Sequence, residues 1–211
     1  MSASAGTSLI ITKAVTTSGD KYFRFFGDGS PCGEYQPNTN GDFFTHNTAV
    51  TTPNANCGNA NAWRVNVPTV TSNVVFKTDG GNDGIDRSIV YVIQGAVQSV
   101  SSVAQAPVAA SVFPGQAVTV TATLSGAFAT GQAAYLRYSA DNFATSTVVS
   151  MTGGSPAATI PASVNTPGTV VRDYVVTSGS TAPAANGSDA DFSTINLNNN
   201  AGSNYSYTVA A

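Results

Sequence analysis

Residues 72–94 read SNVVFKTDGGNDGIDRSIVYVIQ, and this stretch decides the fold class. Its two ends are rich in β-branched and aromatic residues and have the length of ordinary strands. The glycines and aspartates between them supply the positive φ angles and local hydrogen bonds of a tight turn. The stretch therefore predicts two antiparallel strands joined by a hairpin.

Similar segments recur along the chain, separated by turn signals such as Pro114-Gly115 and Gly153-Gly154. Short strands at spacings of about 8 to 14 residues are typical of sandwich folds. We expect an all-β protein made of two β-sandwich, Ig-like parts with Gly/Asn/Pro-rich turns. The further predicted strands are SLIITKAV (8–15), KYFRFF (21–26), AWRVNV (62–67), QAVTVTATL (116–124), AAYLRYS (133–139), STVVSM (146–151), TVVRDYVV (169–176) and YSYTV (205–209).

The composition excludes helix-rich classes of protein. The 211 residues include 24 Val and 26 Thr but only four Leu and one Glu, so the strong helix formers are scarce. Charged residues make up 9% of the chain, against about 25% in ordinary domains. The eight basic residues form no run, and no apolar stretch is long enough to span a membrane. We therefore expect neither nucleic-acid binding nor membrane insertion.

The best domain boundary is the small-residue stretch from Gly95 to Ala110, where Pro107 would interrupt a strand ladder. Val97, Val100 and Val103 within it could still form a short strand. We divide the chain into an N-terminal β domain, residues 1–105, and an Ig-like domain, residues 106–211.

The two cysteines, Cys32 and Cys57, lie in a Gly/Asn/Pro-rich stretch with few apolar residues to hold it. A disulfide would stabilise such a loop by about 3 to 4 kcal/mol in the chain-entropy model. This interpretation predicts a secreted protein, extracellular or on the cell surface. Two buried free thiols are the alternative.

The C-terminal half carries a family resemblance. The segments FPGQAVTVTATLSGAFATGQAAYLRYSADNFATSTVVSMTG (113–153), ATIPASVNTPGTVVRDYVVTSGS (158–180) and DADFSTINLNNNAGSNYSYTV (189–209) resemble Ig-like modules of secreted Bacteroidota surface proteins. They are also similar to starch-binding sandwiches. The resemblance covers residues 106–209 and implies a β-sandwich. The starch-binding modules hold sugar on exposed Trp and Tyr, whereas this half contains no Trp.

The side-chain inventory argues against catalysis. His46 is the only histidine, and its surroundings match no nucleophile motif. The aspartates lie mostly at turn positions, where they cap and bend the chain. We expect a protein that is not an enzyme and that needs no cofactor, apart from a candidate calcium site.

That candidate is the loop from Asp79 to Asp86, which places Asp79, Asp83 and Asp86 among glycines. Calcium takes six to eight oxygen ligands, and a loop of this composition can supply several of them. The spacing does not fit an EF-hand, because Val90 stands where the bidentate Glu should be. A hairpin turn without a metal is the alternative interpretation.

Aromatic residues concentrate in the first 63 positions, where they predict either a core or a sugar-binding surface. Trp63, with Arg64 and Tyr35, forms the candidate ligand-binding set. The low charge of the chain also favours association between copies, because few Lys or Glu protect the strand edges.

The first predicted strand, with Leu9, Ile10 and Ile11, either completes its own sheet or pairs with a neighbouring copy. Two functions follow from these patterns. The first is an extracellular structural subunit, a filament or surface component whose partners are copies of itself. The second is a carbohydrate-binding or adhesion module whose partner is a polysaccharide.

Overall fold

A computed structural model describes residues 8–23, 25–26, 34–35, 50–51, 62–79, 87–186 and 192–211. Side chains are described for these residues except 8–11, 25–26, 34–35, 50–51, 78–79 and 87–88. The protein is all-β, with antiparallel sheets throughout the described residues, which confirms the all-β class predicted from the sequence. The chain forms two compact units that divide between Ala96 and Val97, here called the N-terminal and C-terminal units.

The N-terminal unit contains three antiparallel sheets among its described residues. The strands are β1 (Ser8–Val15), β2 (Gly19–Phe23), β3 (Phe25–Phe26), β4 (Glu34–Tyr35), β5 (Val50–Thr51), β6 (Trp63–Val67), β7 (Ser72–Asp79) and β8 (Arg87–Gln94). One sheet has the order β1-β7-β8-β5, and two further pairs are β2-β6 and β3-β4. The predicted hairpin strands pair along their whole length, from Ser72 opposite Gln94 to Asp79 opposite Arg87.

The core of this unit lies between β6 and the β7-β8 pair. Alternate residues of β6, namely Trp63, Val65 and Val67, are buried and pack with Val74 and Val90. Phe23 of β2 lies against the same cluster. The opposite face of β2 and β6 therefore points away from this core.

The C-terminal unit consists of two antiparallel sheets, one of three strands and one of five. The strands are β9 (Val100–Ala106), β10 (Val118–Leu124), β11 (Ala133–Ser139), β12 (Thr147–Met151), β13 (Ala157–Ile160), β14 (Val170–Ser178), β15 (Thr194–Asn198) and β16 (Tyr205–Thr208). The smaller sheet has the order β13-β10-β9, and the larger has the order β12-β11-β14-β15, in which β16 also pairs with β14. Among the described residues of this unit, the helical elements are two 3-10 turns, Ala109–Ser111 and Ala162–Val164.

One apolar cluster joins the two sheets of the C-terminal unit. Val118 and Val120 from the first sheet pack with Leu136, Val171 and Val175 from the second, and all five are fully buried. Because strand side chains alternate between faces, Val171 and Val175 place Asp173 on the same inward face of β14. A carboxylate thus enters the space between the sheets.

The boundary between the two units lies nine residues before the domain boundary predicted from the sequence, which is between residues 105 and 106. β9 pairs with β10 from Ala106 opposite Thr119 to Val100 opposite Leu124, so it belongs to the C-terminal unit. The register shifts next to Thr123, which leaves Ser101 as an extra residue in β9.

In the described part of the chain, no helix is long and apolar enough to cross a membrane.

Candidate functional sites

Trp63 is a core residue, which corrects the expectation that its ring contacts a ligand. Its side chain is only 6% exposed, and its ring centroid lies 6.2 Å from that of Phe23. An aromatic ring held between two strand layers offers no free face to a sugar.

Arg64 points the other way and helps to form an exposed polar face. Its Nη1 donates to the Asp20 carboxylate at 2.9 Å, and Asn66 Nδ2 donates to the other carboxylate oxygen at 3.0 Å. The hydrogen bond from Asn66, together with Arg64, lowers the pKa of Asp20. Tyr22, opposite Arg64 in the β2-β6 register, is 59% exposed. These four residues form what we call the Tyr22 face.

Several predicted site residues lie outside what the structure describes. Cys32 and Cys57 lie outside the described residues, as do Asp83 and Asp86. For Tyr35 and Asp79 the backbone is described, at the ends of β4 and β7, but not the side chain. Within the described residues, no group of three or more His, Cys, Asp or Glu side chains is arranged to hold a metal ion.

Leu9, Ile10 and Ile11 lie in β1, which completes its own sheet. β1 pairs with β7 over eight positions, from Ser8 opposite Asp79 to Val15 opposite Ser72. It is the last strand of that sheet, and its second edge pairs with no strand among the described residues. The side chains of Thr12, Lys13 and Ala14 are exposed.

A second open edge belongs to β9. The backbone N–H of Ala122 donates to the carbonyl of Pro156 on the β13 side of the sheet. Because the peptide groups of a strand point alternately to its two edges, those of Thr121 and Thr123 point toward β9. They pair with Ala104 and Ser102, and the alternation turns the peptide groups of Val103 and Gln105 toward the open edge. Asn198 of β15 donates to the carbonyl of Val100 at the start of β9, and Asn196 donates to the carbonyl of Gln98 just before it. The rest of this edge has no such contact among the described residues.

A cavity of about 460 Å³ lies between this edge of β9 and the strand β16. Asp173 lines it, with Asn200 and Asn204 from the turn before β16. The remaining lining residues are Val103, Ala104, Gln105, Val108, Ala109, Tyr205 and Ser206.

Asp173 is the unusual member of this lining. Its side chain is 1% exposed, and its Oδ2 has no hydrogen-bond partner among the described residues. Burial raises the pKa of Asp173 to about 7, because removal from water disfavours the charged form. The nearby phenols of Tyr205 and Tyr207 donate instead to Asn198 and Asn165, both at 2.8 Å.

Asn204 brings a second oxygen to the same cavity. Its Oδ1 is buried and also lacks a partner among the described residues. The turn that positions it has left-handed backbone at Asn200, Ala201, Gly202 and Asn204. The amide of Asn204 donates to the carbonyl of Asn199 at 2.8 Å, which fixes the end of this turn.

Neither Asp173 nor Asn204 is among the site residues predicted from the sequence. The segment TVVRDYVV does contain a signal for Asp173. This residue lies two positions from each of the core residues Val171 and Val175, and therefore on the same face of the strand. Asn204 has no comparable signal, since asparagine at a turn is ordinary. No family model, curated protein or solved structure matches the chain.

Proposed function

We propose that the protein is a non-enzymatic structural subunit that associates with copies of itself through strand edges. The observation that carries this proposal is β1, an eight-residue edge strand whose second edge pairs with no strand in the described structure. Soluble proteins normally protect such edges with charges, prolines or bulges. β1 contains one charged residue, Lys13, and no proline.

The open edge of β9 supports the same function. β9 contains no charged residue, and its outward side chains Ser102, Ala104 and Ala106 are small and exposed. A subunit with two different open edges can pair head to tail, and such contacts extend into open polymers when the rotation does not close a ring. With only 9% charged residues, little repulsion opposes close approach of the copies.

A secreted or cell-surface location accompanies this function. It rests on the two cysteines of the sequence, whose disulfide would persist only in an oxidising compartment. A surface polymer built from Thr, Ser, Asn and Val is consistent with that location.

Sedimentation velocity over a concentration series tests the association. We expect the weight-average sedimentation coefficient to rise with protein concentration as larger species form. A single monomer boundary at every concentration would contradict the proposal.

The Tyr22 face supports a second candidate function, carbohydrate binding. An exposed ring beside a guanidinium, an amide and a carboxylate provides the stacking surface and hydrogen-bond groups that a sugar needs. Affinity electrophoresis in gels containing different polysaccharides tests it. Retardation by one polysaccharide, lost in Tyr22→Ala, would support this function, and equal mobility in all gels would exclude it for the sugars used.

A further inference from the structure

Two buried oxygen atoms in the cavity between β9 and β16 have no hydrogen-bond donor in the part of the chain that the structure describes. They are Oδ2 of Asp173 and Oδ1 of Asn204, and neither has a partner among the described residues. Buried polar atoms in folded proteins nearly always have partners, so such atoms indicate a place where a ligand or solvent donates. Both atoms are acceptors, and both residues line one cavity.

The chemistry of these atoms selects the ligand. A carboxylate or phosphate ligand brings only acceptors and would be repelled by Asp173. Calcium requires six to eight oxygen ligands, whereas only two buried side-chain oxygens of the cavity lack a partner among the described residues. An ammonium group brings three donors, no acceptor and a positive charge that matches the carboxylate.

Apart from Gln105, the side chains on the other side of the cavity are apolar. Val103, Ala104, Val108 and Ala109 line it, from β9 and the turn that follows. Such a wall accommodates the methylene stem of an alkylamine while the charged end reaches a polar partner.

We propose that this cavity binds a primary alkylammonium group, with Asp173 and Asn204 as its acceptors. The site lies wholly within the C-terminal unit, so it does not depend on the proposed self-association. The titratable groups around Asp173 are the phenols of Tyr138 on β11 and of Tyr205 and Tyr207 on β16. A phenol carries no positive charge in either protonation state, so the ligand supplies the positive charge.

Two sources could supply this ammonium group. One is a free small amine, and the other is a lysine from a second copy of the chain. Lys13 on β1 is the best such lysine, because it is exposed and has no ion pair among the described residues. The two sources share one binding chemistry and differ in their dependence on protein concentration.

The test is an NMR titration of the full chain at pH 8 with n-butylammonium chloride. The reporters are the carboxyl carbon of Asp173 and the side-chain amide of Asn204. We expect saturable shifts with butylammonium and none with N,N,N-trimethylbutylammonium, which has the same stem and charge but no N–H donor. Equal responses to both cations, a response to calcium chloride alone, or no saturable shift would overturn the proposal.

Variants connect binding to the two acceptors. Asp173→Asn should weaken butylammonium binding at least tenfold, and so should Asn204→Gly, which keeps the left-handed backbone available. Asp141→Asn, an exposed turn carboxylate, is the matched control and should bind like the wild type. Unchanged binding by Asp173→Asn with an intact amide spectrum would also overturn the proposal.

Lys13→Gln distinguishes the sources. If Lys13 is the natural ligand, the Asp173 signal should shift with protein concentration in amine-free buffer, and Lys13→Gln should abolish that shift while still binding butylammonium. If a free amine is the ligand, the signal should not depend on concentration, and both proteins should bind butylammonium equally. If the protein does not self-associate, the Asp173 signal should still respond to butylammonium but not to protein concentration. The amine-binding proposal and the self-association proposal can therefore fail independently.

Discussion

Asp173 lies directly opposite Tyr205 across the β14-β16 pair, yet the phenol of Tyr205 donates its hydrogen bond to Asn198. Burial, and secondly the charge of Asp173, raise the pKa of Tyr205. The same burial acts on the carboxylate, which carries a desolvation cost without a compensating donor from this neighbour. The uncompensated burial of Asp173 should therefore be visible in the pH dependence of stability.

Asp173 should make the C-terminal unit less stable as pH rises. Its pKa is about 7 in the folded protein against an ordinary value of 3.8, so the folded state keeps a proton that the unfolded state releases between these values. The free energy of unfolding should therefore fall by about 1.4 kcal/mol per pH unit across this window. Hydrogen exchange of β11 and β14 amides measures it for this unit alone.

Asp173→Asn is the matching variant. The neutral amide removes the ionisation, so we expect a flatter pH profile and a more stable C-terminal unit than the wild type above pH 7. Parallel pH profiles for the two proteins would contradict an uncompensated carboxylate at this position.

Asp141 should show the opposite dependence. Hydrogen bonds from Thr145 and then from Ser139 lower the pKa of Asp141 to about 2. Because the folded-state pKa is depressed, its stabilisation is present above pH 3.8 and is lost as pH falls through about 2. Asp141→Asn should be less stable than the wild type at pH 7, and the difference should vanish at the acid end. A difference that grows on acidification would refute this assignment.

A lysine on the open edge should block association. Thr12→Lys adds a charge to β1 at an exposed position, which disfavours pairing with another strand. Thr119→Lys, on the central strand β10, is an exposed control with the same chemical change. We expect Thr12→Lys to sediment as a monomer and Thr119→Lys to associate like the wild type. Equal behaviour of both variants would remove β1 from the interface.

Trp63 and Tyr22 should respond differently to truncation. Trp63→Ala leaves a cavity in the core of the N-terminal unit and should cost about 3 to 5 kcal/mol of stability. Tyr22→Ala removes an exposed ring and should change stability by less than about 0.5 kcal/mol. Urea unfolding of each variant measures this, with Phe113→Ala, also an exposed ring, as control. A small effect of Trp63→Ala would contradict its place in the core.

The cysteines give a prediction that rests on the sequence alone. If Cys32 and Cys57 form a disulfide, the denatured protein should not react with a maleimide until it is reduced, and should then take up two labels. Labelling without reduction would favour the alternative of two free thiols.

The strand pattern could be predicted from the sequence wherever alternation is regular. SLIITKAV and AAYLRYS match β1 and β11 in their bounds. β9 is harder to predict because Val100 and Val103 are three residues apart, a spacing that does not suit a regular strand. The extra residue Ser101 turns both valines toward the core. Because of this bulge, buried and exposed residues do not alternate regularly in the sequence of β9.

The candidate site was less accessible to prediction. Asp173 and Asn204 lie 31 positions apart, and only the pairing of β16 with β14 brings them to one cavity. Trp63 illustrates the reverse case. Its sequence context suits either a core or a surface, and the packing of β6 against β7 and β8 decides between them.

Electron microscopy of the purified protein over a concentration series tests the central claim most directly, because it detects ordered assembly without assuming a ligand. A structural subunit that pairs through strand edges should form filaments or sheets as concentration rises. Discrete monomeric particles at every concentration would contradict the account.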